Sequence, residues 1–236
     1  LYQRHHICLY TPRHPDVRLR ECKHVKRGRM EFYMNQNKKW ILGISGASGA
    51  VYGIRILEVL NQKGYDVDLI LSEAGKIVIR EETGLDLSGG KEDPRKVLKK
   101  KLGINPSAIR VFSNHDFATP VASGSNPVEG MIIAPCSMGT LAAIACGLAD
   151  NLIRRAADVM IKQRRPLILL ARETPLSAIH LENMLKLSRL GVVILPPMPA
   201  FYHKPKTIED LVDFVVGRVL DVIGIEHELY QRWQGG

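Results

Sequence analysis

Residues 40–55, WILGISGASGAVYGIR, decide the fold. The stretch opens on apolar residues that suit a buried strand and turns through small residues from Gly43 to Gly49. It continues with Val51, Ile54, Leu57 and Leu60 spaced three apart, the spacing of one helix face. A strand, a small-residue turn and a helix present free backbone N–H groups and the positive end of a helix dipole to an anion. Ser45 and Ser48 add hydroxyls to that turn, and the simplest ligand is a phosphate on a nucleotide or cofactor. No Lys-Ser/Thr pair closes the turn, so it is not a Walker P-loop. Glycine in such a turn also serves purely steric needs, and the pattern alone does not separate the two uses.

Beyond Arg55, strand and helix signals alternate. Residues 65–72 (YDVDLILS), 108–112, 130–134 (GMIIA), 166–171 (PLILLA) and 191–195 (GVVIL) read as strands. Residues 76–82, 91–102, 137–149, 151–163, 177–189 and 208–223 read as helices. Continuous apolar strands between helices indicate a parallel sheet covered on both faces. The expected class is α/β, a Rossmann-like or flavodoxin-like three-layer domain with a mostly parallel sheet. Ligands of such sheets sit at the carboxyl ends of the strands.

Composition narrows the function. The chain has 236 residues, 45% hydrophobic and 24% charged, ordinary for a globular protein. No apolar run approaches the ~20 residues that span a bilayer. Residues 1–33 lack a continuous apolar core, so no signal peptide is expected and the default location is cytoplasmic. The net charge of +9 is uneven: residues 1–33 hold eight Lys/Arg and three acids, a net of +5, which leaves +4 for the other 203 residues. The body is only mildly basic, which favours a small anionic ligand over nucleic acid.

Residues 1–33 thus read as a basic extension, disordered or foreign to the domain, with Met34 as a sensible start for a single domain over residues 34–236. His5, His6, Cys8, Cys22 and His24 match no standard zinc spacing, and no metal is expected. Cys8, Cys22, Cys136 and Cys146 show no CxxC pair and are expected as free thiols in a reducing compartment.

Five loops behind the strands carry polar or conformationally special residues, which suggests one composite site. Ser137 and Thr140, with Gly139 between them, fit a plain N-cap or a second anion-binding helix end. Arg155 and Lys162 lie seven apart on one helix, on the same face as Leu152 and Val159, as snorkelling side chains or a cation pair for a phosphate. Glu82 and Glu173 sit near strand–helix junctions, as surface carboxylates or proton carriers; Glu173 follows Arg172, which allows a buried ionic arrangement. Cys136 is best read as a small buried hydrophobe. Tyr202 and Lys206 match a Tyr-x-x-x-Lys pattern, but Pro199 and Pro205 bracket Tyr202 and place it in a loop.

GISGASGAVYGIR, PCSMGTLAAIACGLADNLIRRAADVMIKQRRPL, ARETPLSAIHLENMLKLSRLGVVILPPMPAFYHKP and the terminal Arg-Trp resemble the UbiX-type flavin prenyltransferase family, over residues 40–233. The resemblance implies transfer of the dimethylallyl group of dimethylallyl monophosphate to reduced FMN, giving prenylated FMN and phosphate, without a metal. The product serves UbiD-type decarboxylases, often in ubiquinone synthesis. By the same resemblance, Ser45, Gly46 and Ala47 are expected to form the FMN phosphate loop. Ser72, Ser137, Met138, Gly139, Thr140 and Arg172 are expected as further FMN contacts. Tyr202 and Arg218 are expected to bind dimethylallyl phosphate, with Ser48, Ser123, Arg155 and Lys162 completing its pocket. Glu82 and Glu173 are the implied proton-handling acids, beside Ser48 in the catalytic group, and Trp233 is expected to help exclude water. The resemblance also implies a homo-dodecamer with sites shared between subunits, in which Tyr202 and Arg218 serve a neighbour.

Two other classes compete. A flavin-dependent decarboxylase of peptidyl-cysteine type carries a catalytic His after the first strand–helix unit, whereas residues 51–82 contain no His. An FMN carrier needs the FMN loops but not Arg155, Lys162, Tyr202 and Arg218, whose joint presence favours the enzyme.

Overall fold

The computed structural model describes residues 38–90, 92–233 and 235. The extension of residues 1–33, with its cysteines and histidines, and Met34 lie outside the described residues. Six strands form one sheet: β1 Lys39–Ile44, β2 Asp66–Leu71, β3 Ile109–Ser113, β4 Gly130–Cys136, β5 Leu167–Ala171 and β6 Val193–Ile194. Their order is β3-β2-β1-β4-β5-β6, and every neighbouring pair is parallel. The helices are α1 Ala50–Gln62, α2 Glu73–Thr83, α3 Pro94–Leu102, α4 Met138–Ala145, α5 Leu152–Gln163, α6 Ala178–Arg189 and α7 Ile208–Val222.

Alternating strand residues feed two cores. Leu42, Ile44, Leu69 and Ile132 face one side, where Leu57 of α1, Ile79 of α2 and Val216 of α7 cover them. Ile41, Ile70, Met131 and Ile133 face the other, under Leu141 of α4 and Val159 of α5. Both faces are therefore buried, which is why the strands read as unbroken apolar runs. Chain order reverses between β1 and β4, which makes the space beyond their carboxyl ends the crevice where such sheets take ligands.

Several boundaries differ from the expectation, each for a local reason. α2 starts at Glu73 rather than Lys76, because Ser72 caps it directly behind β2. α4 stops at Ala145, short of 149, and Gly147 (φ 72°) turns the chain toward α5. β4 runs on to Cys136 through the cis Ala134–Pro135 bond, with a register irregularity between Ile133 and Cys136. Residues 191–195 give only the two half-buried residues of β6, an edge strand paired on one side. Val51 is exposed, since it lies about a quarter-turn off the buried stripe of Ala50, Ile54 and Leu57.

Candidate functional site

Three helices begin around one cleft at the sheet's switch point. Ser72, Ser137 and Asn151 are the N-caps of α2, α4 and α5, and all three line a cleft of ≈ 240 Å³ together with Gly46, Asn114, Gly139, Thr140 and Arg154. Ser72 Oγ accepts from Gly75 N–H at 2.9 Å, Ser137 Oγ from Thr140 N–H at 3.3 Å, and Asn151 Oδ1 from Arg154 N–H at 3.1 Å. Each cap satisfies one of the four unpaired N–H groups of its helix, and three positive helix ends share the cleft. Among the expected FMN residues, the cleft gathers Gly46, Ser72, Ser137, Gly139 and Thr140.

The walls suit a large anionic ligand. A Cβ on Gly139 would meet nothing within 4 Å, so its backbone faces open space, whereas one on Gly46 would strike Ala74 Cβ at 2.4 Å. Arg154 supplies a cation: its Nη1 holds Asp150 at 2.7 and 2.9 Å, while its Nε is buried without an acceptor. An orphan donor and three helix ends fit a phosphate group such as that of FMN. The sequence reading missed Arg154, Asn114 and Asn151. Asn114 fastens α5 to the end of β3, its carbonyl accepting from Leu152 N–H at 2.8 Å and its Oδ1 from Ile153 N–H at 3.0 Å. An Asn just past an apolar strand, and another just before a helical run, were the available signals.

Ser45 works inside the scaffold. Its Oγ donates to the Pro135 carbonyl at 2.9 Å and accepts from Ser137 N–H at 2.8 Å, so it stitches the β1 and β4 loops together. Ala47 and Met138 are buried beside it, and Ser48 is exposed at the tip of the turn. Cys136 is fully buried, as expected, and burial pushes its thiol up to about 12.

A second group surrounds the start of α1. Gly49 (φ 102°) caps that helix without a side chain, and the carboxylate of Glu82, in the last turn of α2, takes the vacant N–H groups. Tyr52, which the sequence reading missed, is half-buried beside them. Burial raises its phenol above the ordinary range, the Arg172 charge lowers it and the Glu82 charge raises it. Arg172 is tied behind β5 by its N–H bond to the Cys136 carbonyl at 3.1 Å. The buried ionic arrangement of Arg172 with Glu173 does not form: Glu173 is exposed, and its Oε1 accepts from Thr174 N–H at 3.0 Å.

The expected donor-phosphate residues fall in two further places. Arg155 donates through Nε to the Ala122 carbonyl at 3.1 Å, which sets it beside Ser123, and its Nη1 meets Asp158 at 2.9 Å. Lys162 is exposed two turns along α5. The two cations do not share the face of Leu152 and Val159, which are fully buried. Tyr202 lies in a loop, as expected, its ring 5.7 Å from Trp233 and 5.9 Å from Phe214. Arg218 projects from α7 into a cluster with Asp221 and Tyr230. Among the described residues, no hydrogen bond or ion pair joins Tyr202 or Arg218 to Ser123, Arg155 or Lys162.

No helix among the described residues is long and apolar enough to cross a membrane. Residues 29–220 match the family model described as Flavoprotein. The chain is 51% identical over 194 residues to the flavin prenyltransferase UbiX of Halalkalibacterium halodurans, covering 82% of this chain and 92% of that protein. It is 48% identical over 200 residues to the flavin prenyltransferase UbiX of Pseudomonas aeruginosa, covering 85% and 96%. Among solved structures it resembles AnUbiX (PadA1) in complex with FMN and dimethylallyl pyrophosphate, with a TM-score of 0.75 and 42% identity over 85% of this chain and 100% of that one. It also resembles a dodecameric FMN-dependent UbiX-like decarboxylase from Escherichia coli O157:H7, with a TM-score of 0.73 and 44% identity over 84% and 100%. With identity at this level along nearly the whole of its relatives, the chain belongs to the flavoprotein family and, within it, to the UbiX flavin prenyltransferases.

Proposed function

We propose that the protein transfers the dimethylallyl group of dimethylallyl monophosphate to reduced FMN, releasing phosphate and giving prenylated FMN for UbiD-type decarboxylases. The observation that carries this reading is the cleft where the N-termini of α2, α4 and α5 converge at the sheet's switch point. Ser72, Ser137, Gly139, Thr140 and Arg154 hold the FMN phosphate there, and the β1–α1 turn and Arg172 border the ring system. Bound reduced FMN supplies an electron-rich ring nitrogen and a neighbouring carbon that accept the dimethylallyl group.

The chain's residues do the rest. Arg155, Lys162, Arg218 and Ser123 stabilise charge as it grows on the leaving phosphate, and Tyr202 and Trp233 wall the prenyl group from water. Glu82, held at the start of α1, and Glu173, exposed behind β5, handle protons. Arg218 and Tyr202 reach the site from a neighbouring subunit in a homo-dodecamer. Exposed apolar residues support association: α6 buries only Leu187 and exposes Ile179, Leu181 and Leu185. The enzyme acts in the cytoplasm.

The test is an anaerobic incubation with reduced FMN and dimethylallyl monophosphate, followed by mass spectrometry of the released flavin. A flavin heavier by one dimethylallyl-derived unit is expected. Tightly bound but unmodified FMN would instead identify a flavin carrier.

A further inference from the structure

Arg218 is held by more than its own helix. Its Nη1 meets Asp221 Oδ2 at 2.9 Å and the Tyr230 hydroxyl at 3.3 Å, and its Nε and Nη2 have no partner among the described residues. Asp221 collects three further donors, all from the segment behind α7. Tyr230 donates its hydroxyl at 2.5 Å, Arg232 its Nη2 at 2.6 Å, and His227 its Nε2 at 3.1 Å. His227 Nδ1 accepts from Leu229 N–H at 3.2 Å, which turns Nε2 toward Asp221 as a donor. An exposed Arg–Asp pair three residues apart on a helix contributes little to order. Asp221 is different, because its side chain is only 16% exposed and four residues converge on it.

The segment sits against α7 with no room to spare. A Cβ at Gly217 would lie 2.6 Å from the Tyr230 ring and 2.7 Å from His227 Cε1. Glycine beside Arg218 is what lets the segment close on the helix, and the same segment brings Trp233 against Tyr202. One carboxylate thus links the two residues assigned to the prenyl donor. Two guanidiniums against one carboxylate leave one positive charge in excess, suited to an incoming phosphate.

We propose that Asp221 is the positioning residue of the donor-phosphate site, fixing the Arg218 guanidinium by one edge so that its other edge meets the phosphate, and seating residues 226–233 so that Trp233 closes on Tyr202. This rests on the reading of Arg218 as a donor-phosphate ligand. Burial alone would raise the Asp221 carboxyl, but the bonds from Tyr230, Arg232 and His227 outweigh it and hold the group at about 2, so it is charged at neutral pH.

Asp221→Asn, assayed with reduced FMN and dimethylallyl monophosphate, is expected to raise the donor KM about tenfold, the scale of one lost charge-assisted contact, with kcat and FMN affinity near wild type. Asp221→Glu should restore part of the loss. Trp40 is buried, so acrylamide quenching reports on Trp233 and should rise in Asp221→Asn. Should Asp221→Asn fail to fold, Tyr230→Phe removes one donor without changing charge and is expected to raise the donor KM severalfold. A donor KM unchanged in Asp221→Asn, or in Tyr230→Phe where that variant stands in, overturns the inference, and Arg218→Ala separates it from its premise. A raised KM in Arg218→Ala beside an unchanged one in Asp221→Asn defeats the positioning role alone. An unchanged KM in Arg218→Ala defeats the ligand role of Arg218, and the inference falls with it.

Discussion

The carboxylate of Glu82 accepts hydrogen bonds from two successive N–H groups of the glycine turn, Gly49 at 3.0 and 3.1 Å and Ala50 at 2.8 Å. The positive end of α1, which the turn offers to an anion, is therefore already met by an acid of the same chain. In the proposed reading, the FMN phosphate is left to the three other helix ends, around the cleft that Gly46 also lines.

Glu82→Ala should lower stability by about 1–2 kcal/mol, the scale of a lost helix cap, seen as a fall in thermal midpoint. Glu82→Gln keeps an acceptor oxygen, so stability should stay within about 1 kcal/mol while prenyl transfer drops roughly 10²-fold or more, the range for losing a proton-transfer group. A Gln variant as fast as wild type would leave Glu82 with capping as its only role.

Ser137→Ala removes the α4 cap facing the cleft, and FMN affinity should fall about fivefold to tenfold, the equivalent of roughly 1 kcal/mol. Titrating FMN and riboflavin in parallel separates causes, because riboflavin lacks the phosphate and should lose less. Ser45→Ala should act through stability, costing about 1–3 kcal/mol, since it leaves the Pro135 carbonyl and Ser137 N–H without their partner.

Asp68 is fully buried in β2 and held by Arg110 of β3 through two bonds of 2.7 and 2.6 Å. Arg110→Ala leaves that carboxylate unpaired and should cost about 3 kcal/mol, the low end for a broken buried pair, since the arginine is partly exposed. The double replacement Asp68→Asn with Arg110→Gln should be milder than Arg110→Ala in chemical unfolding.

The knot at Asp221 should fail in acid. Its folded carboxyl titrates at about 2, below the ordinary 3.8, so the stabilisation is complete above the unfolded value and is lost as pH falls through the folded one. Between about pH 4 and pH 2, Trp233 should become more accessible to quencher before the core unfolds, and Asp221→Asn should abolish that early transition.

The sheet was legible because β1, β2, β4 and β5 are buried on both faces and carry unbroken apolar runs. β6, paired on one side only, has the same composition as a central strand, and its sequence carries no sign of its short length. Ser72, Ser137 and Thr140 could be read as cap residues behind strands, and the fold brings them together. The cap on α1 was not legible, since Glu82 lies 33 residues beyond Gly49 and only the packing of α2 beside α1 brings it there. Asp221 was equally silent: apart from Arg218, three residues before it on α7, its partners His227, Tyr230 and Arg232 lie on a segment without regular structure, where no period links them.

The fit of Tyr230 and His227 over Gly217 also sets an order of events during synthesis. All six strands and α7 leave the ribosome before residues 226–233 do, so the sheet and its two cores can form while Arg218 still lacks the neighbours that orient it. A chain cut before residue 226 would therefore keep its sheet while the anion site around Arg218 stayed unfinished.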